Sequence, residues 1–122
     1  MWLFTRYGFF SIACAANADG LPDPQNLMIR ARCEGHLLHL QKRFPGISSA
    51  EIMQLPERDY RYRIIVPKDA WVQVIDELAR EQEWSNFKDE AARFQGPAGR
   101  GYVSALHRVW EVMYRFQATE SK

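Results

Sequence analysis

Two stretches of this chain, Leu27-Met-Ile-Arg-Ala-Arg32 and Tyr60-Arg-Tyr-Arg-Ile-Ile-Val66, place basic residues at every second position. A helix would scatter those arginines around its circumference, whereas a strand sends alternate side chains to opposite faces. As strands, the first stretch turns Leu27, Ile29, Ala31 and Cys33 inward, and Met28, Arg30 and Arg32 outward. The second puts Tyr60, Tyr62, Ile64 and Val66 on one side, with Arg61 and Arg63 on the other. If both strands join one sheet, four guanidiniums share one surface. The pattern thus demands an antiparallel sheet with one buried face and one basic face.

The rest of the chain fits around that sheet. Residues 2–15 are rich in aromatic and β-branched side chains and read as one extended segment, bent at Gly8. The turn formers of 17–25 lead into the second strand. Leu37, Leu40, Gln41 and Phe44, with Leu38 widening the stripe, predict a helix from Glu34 that Pro45-Gly46 stops. A short strand follows at 51–55, a turn at 56–59 and the fourth strand at 60–66. Asp69 is placed to cap a helix carrying Trp71, Val74, Ile75 and Leu78 on one stripe. After a break at 84–88 come a short helical piece at 89–94, a glycine-rich loop at 96–101 and a final helix at 102–117. The expected fold is α+β, a four-stranded antiparallel sheet with helices on one face. Its ββαββα order is close to a permuted or split ferredoxin-like arrangement, completed by the C-terminal helix. Residues 1–117 are expected to form one domain, and 118–122 a frayed tail.

Composition excludes several function classes. With 16 Lys and Arg against 15 Asp and Glu, the formal net charge of +1 gives no bulk attraction to nucleic acid or anionic lipid, so binding of either requires a local patch. Nucleic acid is therefore a weakly supported partner. No segment is apolar and long enough to span a membrane. The stretch 1–18 lacks the basic start and unbroken apolar run of a signal peptide and reads better as a strand. Cys14 and Cys33 share core-facing parity and lack zinc-site spacing, which predicts free thiols and a reducing, cytoplasmic setting. His36 and His39 lie one helical turn apart but lack a third ligand beyond Glu34, so neither a metal nor another cofactor is expected.

Three constellations remain as candidate sites. Arg30, Arg32, Arg61 and Arg63, beside Phe9 and Ser11, suit a phosphate- or carboxylate-bearing ligand, because the planar guanidinium donates two parallel hydrogen bonds. The alternative is a solvated face neutralised by Glu51, Glu57 or Asp59. Asn86 and Lys88 in the break, with His107 on the last helix, supply further donors to an anion, or Asn86 caps the short helix. The last helix carries a core stripe of Leu106, Val109, Met113 and Phe116 beside a second stripe of Val103, His107, Trp110 and Tyr114. Val103, Trp110 and Tyr114 there suit a protein partner or a homodimer contact. A nucleophile–base–acid set is not readable, and the loop at 96–101 lacks the Gly-Lys-Ser/Thr ending of a phosphate loop. The leading expectation is a small binding module for an anionic ligand, ahead of an interaction domain. An enzyme with a pocket between sheet and last helix ranks third.

The segments Trp2-Leu-Phe-Thr5, Gly8-Phe-Phe-Ser11, Arg30-Ala-Arg32, Asp59 to Pro67, Asn86-Phe-Lys88 and His107 to Tyr114 together resemble a family of small uncharacterised bacterial single-domain proteins. The resemblance spans most of the chain and implies a stand-alone domain. It carries no known activity, so no catalytic role transfers.

Overall fold

A computed structural model describes residues 1–120. Contacts divide the chain into two compact units, one from Met1 to Glu83 and one from Trp84 onward. The first contains β1 (Trp2–Thr5), β2 (Gly8–Ala16), β3 (Pro22–Ala31), α1 (Glu34–Arg43), β4 (Met53–Gln54), β5 (Tyr62–Pro67) and α2 (Lys68–Arg80). The second contains α3 (Phe87–Gln95) and α4 (Arg100–Glu120). The α+β class is as expected.

The sheet has five strands rather than four, because segment 2–15 is a hairpin and not one bent strand. The turn carries no cluster of turn-forming residues, and the Thr5 side chain closes it instead. Thr5 Oγ1 accepts from the Tyr7 and Gly8 amides at 3.1 and 3.2 Å and donates to the Gly8 carbonyl at 2.9 Å. Gly8 has a φ of 150°, and a Cβ there would lie 2.2 Å from His36 Cγ. The imidazole fills that space, its Nδ1 accepting from the Phe9 amide at 3.3 Å. Burial above all, then the nearby His39, lowers the His36 pKa from its ordinary value, which suits a neutral ring acting as acceptor.

The strand order is β1-β2-β3-β5-β4, antiparallel at every step. Three strands precede α1 where two were expected, so the order of the first unit is βββαββα rather than ββαββα, and the permuted ferredoxin-like arrangement is not found. β4 holds only two residues where five were expected, and β5 starts at Tyr62, two residues late.

Both helices of this unit pack on one sheet face. Phe10, Ile12, Ile29, Ala31, Ile64 and Val66 meet Leu37 and Leu40 of α1 and Trp71 and Val74 of α2 in one core cluster. Each large side chain so buried contributes about 1.5–3 kcal/mol. Leu38, expected to widen the α1 stripe, is exposed. Cys33 is exposed as well, because β3 ends at Ala31 and Cys33 stands at the N-cap of α1; Cys14 is half-buried, and both thiols are free. Pro67 takes the N-cap of α2, leaving Asp69 in the first turn, where its charge favours the positive helix end.

One partly buried network ties α1, α2 and the β1–β2 turn of this unit together. Tyr7, at the β1–β2 turn, donates from its hydroxyl to Glu81 Oε1 at 2.9 Å, just past the end of α2. Arg6 Nη2 and Arg43 Nη2, the latter at the end of α1, reach Glu81 Oε2 at 3.3 and 3.2 Å. Burial raises the Tyr7 pKa, keeping its hydroxyl protonated as a donor.

In the second unit, Asn86 caps α3, its Oδ1 accepting from the Asp89 amide at 3.0 Å. Glu90 is buried and paired with Arg93 Nε at 2.7 Å. Gly96, at φ 66°, ends α3 with a positive φ that favours glycine. α4 extends beyond 102–117 at both ends; 118–120 are helical, and 121–122 of the expected tail lie outside the described residues. Leu106 alone of the expected α4 core stripe is buried, while Val109, Met113 and Phe116 are exposed. No helix among the described residues is long and apolar enough to cross a membrane.

Candidate functional site

The register settles where the arginines point. Trp2, Ser11, Arg30, Arg63 and Met53 form one row across the five strands, each the direct partner of the next. Arg30 and Arg63 are thus neighbours on adjacent strands, on the face opposite α1 and α2. Ser11 is buried beneath Arg30, accepting from its Nη2 at 2.8 Å.

Tyr60 organises the cluster, and strand parity gave it the wrong side. It lies two residues before β5 begins, so its direction is not set by that strand. Its ring is buried on the arginine face, with the Arg30 and Arg32 guanidinium carbons 4.9 and 4.3 Å from the ring centroid. Such contacts contribute about 0.5–2 kcal/mol each. Phe9 lies 6.3 Å away, centroid to centroid. The signal that could have found Tyr60 is its place in the turn rather than its parity.

The acceptors around these guanidiniums are neutral. Arg30 Nε reaches the Ser11 carbonyl at 3.4 Å, and Arg32 Nη1 donates to the Asp59 carbonyl at 2.9 Å. Arg63 donates to Met28 Sδ at 3.0 Å and to the Tyr60 carbonyl at 3.3 Å. Its Nε is buried and has no hydrogen-bond partner among the described residues. Among the described residues no carboxylate forms an ion pair with Arg30, Arg32 or Arg63, including the expected Glu51, Glu57 and Asp59. Burial, then the charges of Arg30 and Arg58, pushes the Arg63 pKa below the ordinary guanidinium value, and Asp59 opposes this. Arg61 is exposed, precedes β5 and takes no part in these contacts; its carbonyl accepts from the Leu55 amide.

The other expected donors belong to the second unit. The Asn86 side chain is engaged as the α3 cap. Lys88 Nζ sits 4.8 Å from the Trp110 ring centroid. His107 Nε2 lies 3.3 Å from Glu111 Oε1. Lys88 and His107, with Arg100, Val103 and Ser104, line an open cleft of 720 Å³ between α3 and α4. His107, Trp110 and Tyr114 stack in a ladder, with successive ring centroids 6.1 and 5.2 Å apart. Every residue from His107 to Glu120 is exposed. Among the described residues no three His, Cys, Asp or Glu side chains gather as a metal site.

No family model, curated protein or solved structure matches this chain.

Proposed function

We propose that the chain is a binding module whose sheet face takes an anionic, phosphate- or carboxylate-bearing ligand on Arg30, Arg32 and Arg63. The observation that carries this reading is the gathering of three guanidiniums around one tyrosine, with neutral acceptors in place of carboxylates. The like charges repel, and burial together with Arg30 lowers the Arg63 pKa. Hydrogen bonds to neutral oxygens offset part of that cost, and an anion offsets the remainder while accepting the donors left over.

Binding of inorganic tripolyphosphate, followed by calorimetry at low salt, tests this. Arg30→Ala and Arg63→Ala are each expected to weaken it about tenfold and to flatten its salt dependence, with the fold retained by circular dichroism. Arg80→Ala should leave binding unchanged, because Arg80 is exposed and already paired with Asp76 at 2.9 Å. Equal binding by all three variants contradicts the reading.

A second reading is favoured by the exposure of Trp110, Val112, Met113, Tyr114 and Phe116 on α4, each more than half accessible. That much apolar surface on one helix suits contact with a second copy of the chain. It predicts a mass that rises with concentration in analytical ultracentrifugation and falls to the monomer in Trp110→Glu. A concentration-independent monomer rules it out.

A further inference from the structure

We infer that the ligand of the arginine face is single-stranded nucleic acid, with one base stacked on Trp2 and the sugar–phosphate backbone crossing Arg30 and Arg63. This rests on the anion-binding reading above and names its ligand class. Trp2 is 70% exposed, although its register partner Ser11 places it in the same row as the two arginines. Behind it the aromatic groups are continuous. Phe9 meets the Trp2 ring edge-on at 6.0 Å and stacks on Phe4 at 4.6 Å. Phe9 also approaches Tyr60, which carries two of the guanidiniums. A flat exposed ring beside phosphate-seeking side chains is the chemistry of a base-stacking platform.

The row also decides between nucleic acid and smaller anions. The Arg30 guanidinium is bonded to Ser11, the direct partner of Trp2, so it lies about one strand spacing from the indole. The Arg63 backbone is three spacings away, about 14 Å at roughly 4.8 Å each. One nucleotide with its base on Trp2 reaches only Arg30, and a phosphate on Arg63 as well requires the chain to continue. Inorganic phosphate or a simple carboxylate leaves Trp2 without a role. A duplex keeps its bases paired and stacked on each other, so it offers no free base to the indole. The guanidiniums, with no carboxylate in an ion pair with them among the described residues, supply the complement to the phosphates. With one phosphate on each of Arg30, Arg32 and Arg63, log affinity should fall with log salt at a slope near −2, from about −0.7 per phosphate for single strands.

The test compares a short oligothymidylate with tripolyphosphate and with a polyglutamate peptide, on wild type and Trp2→Ala. Trp2 is an exposed edge residue, so its replacement leaves the core intact. Oligothymidylate is expected to bind wild type with quenching of tryptophan fluorescence, about tenfold more weakly to Trp2→Ala and close to wild type to Trp2→Phe. Tripolyphosphate binding should be unchanged in Trp2→Ala, and the hybridised duplex should bind more weakly than the single strand. Undiminished oligothymidylate binding by Trp2→Ala overturns the stacking inference while the anion reading stands. So does wild type binding tripolyphosphate or polyglutamate but not oligothymidylate. Wild type binding none of the three overturns both.

Discussion

Gly8→Ala is expected to destabilise the first unit by about 3 kcal/mol, lowering its melting temperature by more than roughly 10 °C. Two costs combine. A φ of 150° is strained for any residue with a Cβ, at about 1–3 kcal/mol. The added methyl also falls 2.2 Å from His36 Cγ and within 2.6 Å of its Nδ1, so the imidazole must leave its position. Moving the ring breaks its bond from the Phe9 amide and opens the core beside Phe10. His36→Ala added to Gly8→Ala removes the clash but not the strain, so the double variant should recover part of the loss. Thermal unfolding of both variants checks this. A Gly8→Ala protein that melts with wild type contradicts the close packing.

Glu81→Ala is expected to cost about 2–3 kcal/mol, measured by urea unfolding. Its carboxylate side chain is 12% exposed and gathers Arg6, Arg43 and the Tyr7 hydroxyl. Removing it takes away the carboxylate that accepts the Tyr7 hydroxyl proton and the counter-charge that Arg6 and Arg43 share. Leaving charges uncompensated in this way costs more than the pair contributes when intact. Arg43 is 41% exposed, so water screens part of the loss, which places the expectation below that for a fully buried pair. Glu81→Gln keeps the shape and one acceptor for the Tyr7 hydroxyl, and should lose about half as much. A Glu81→Gln protein as stable as wild type would assign the loss in Glu81→Ala to packing instead.

Much of the sheet was legible because period-two alternation is unbroken from Leu27 to Ala31 in β3 and along β5. The same alternation correctly put Arg30 and Arg63 on one face, opposite Ile29 and Ile64. Parity carries no information outside a strand, and this explains the misses at Tyr60 and Cys33. Both residues follow the apolar count in the sequence, yet each lies beyond the strand end and turns elsewhere. The β1–β2 turn was hidden for a different reason. Its closing group is a threonine hydroxyl, and only Gly8 marks it in the sequence. On α4, helical spacing gave the stripe of Val109, Met113 and Phe116 correctly as a stripe. Whether any element faces such a stripe is decided by tertiary packing, which spacing alone does not encode.

The arginine cluster is the centre of this account, and its side chains can be watched directly. Nuclear magnetic resonance of the arginine Nε–Hε groups, titrated with inorganic tripolyphosphate at low salt, resolves each guanidinium. The signals of Arg30, Arg32 and Arg63 are expected to shift together and saturate, while those of Arg80 and Arg93 stay in place. Small uniform shifts across all arginines, or none at Arg30 and Arg63, would contradict an anion site on this face.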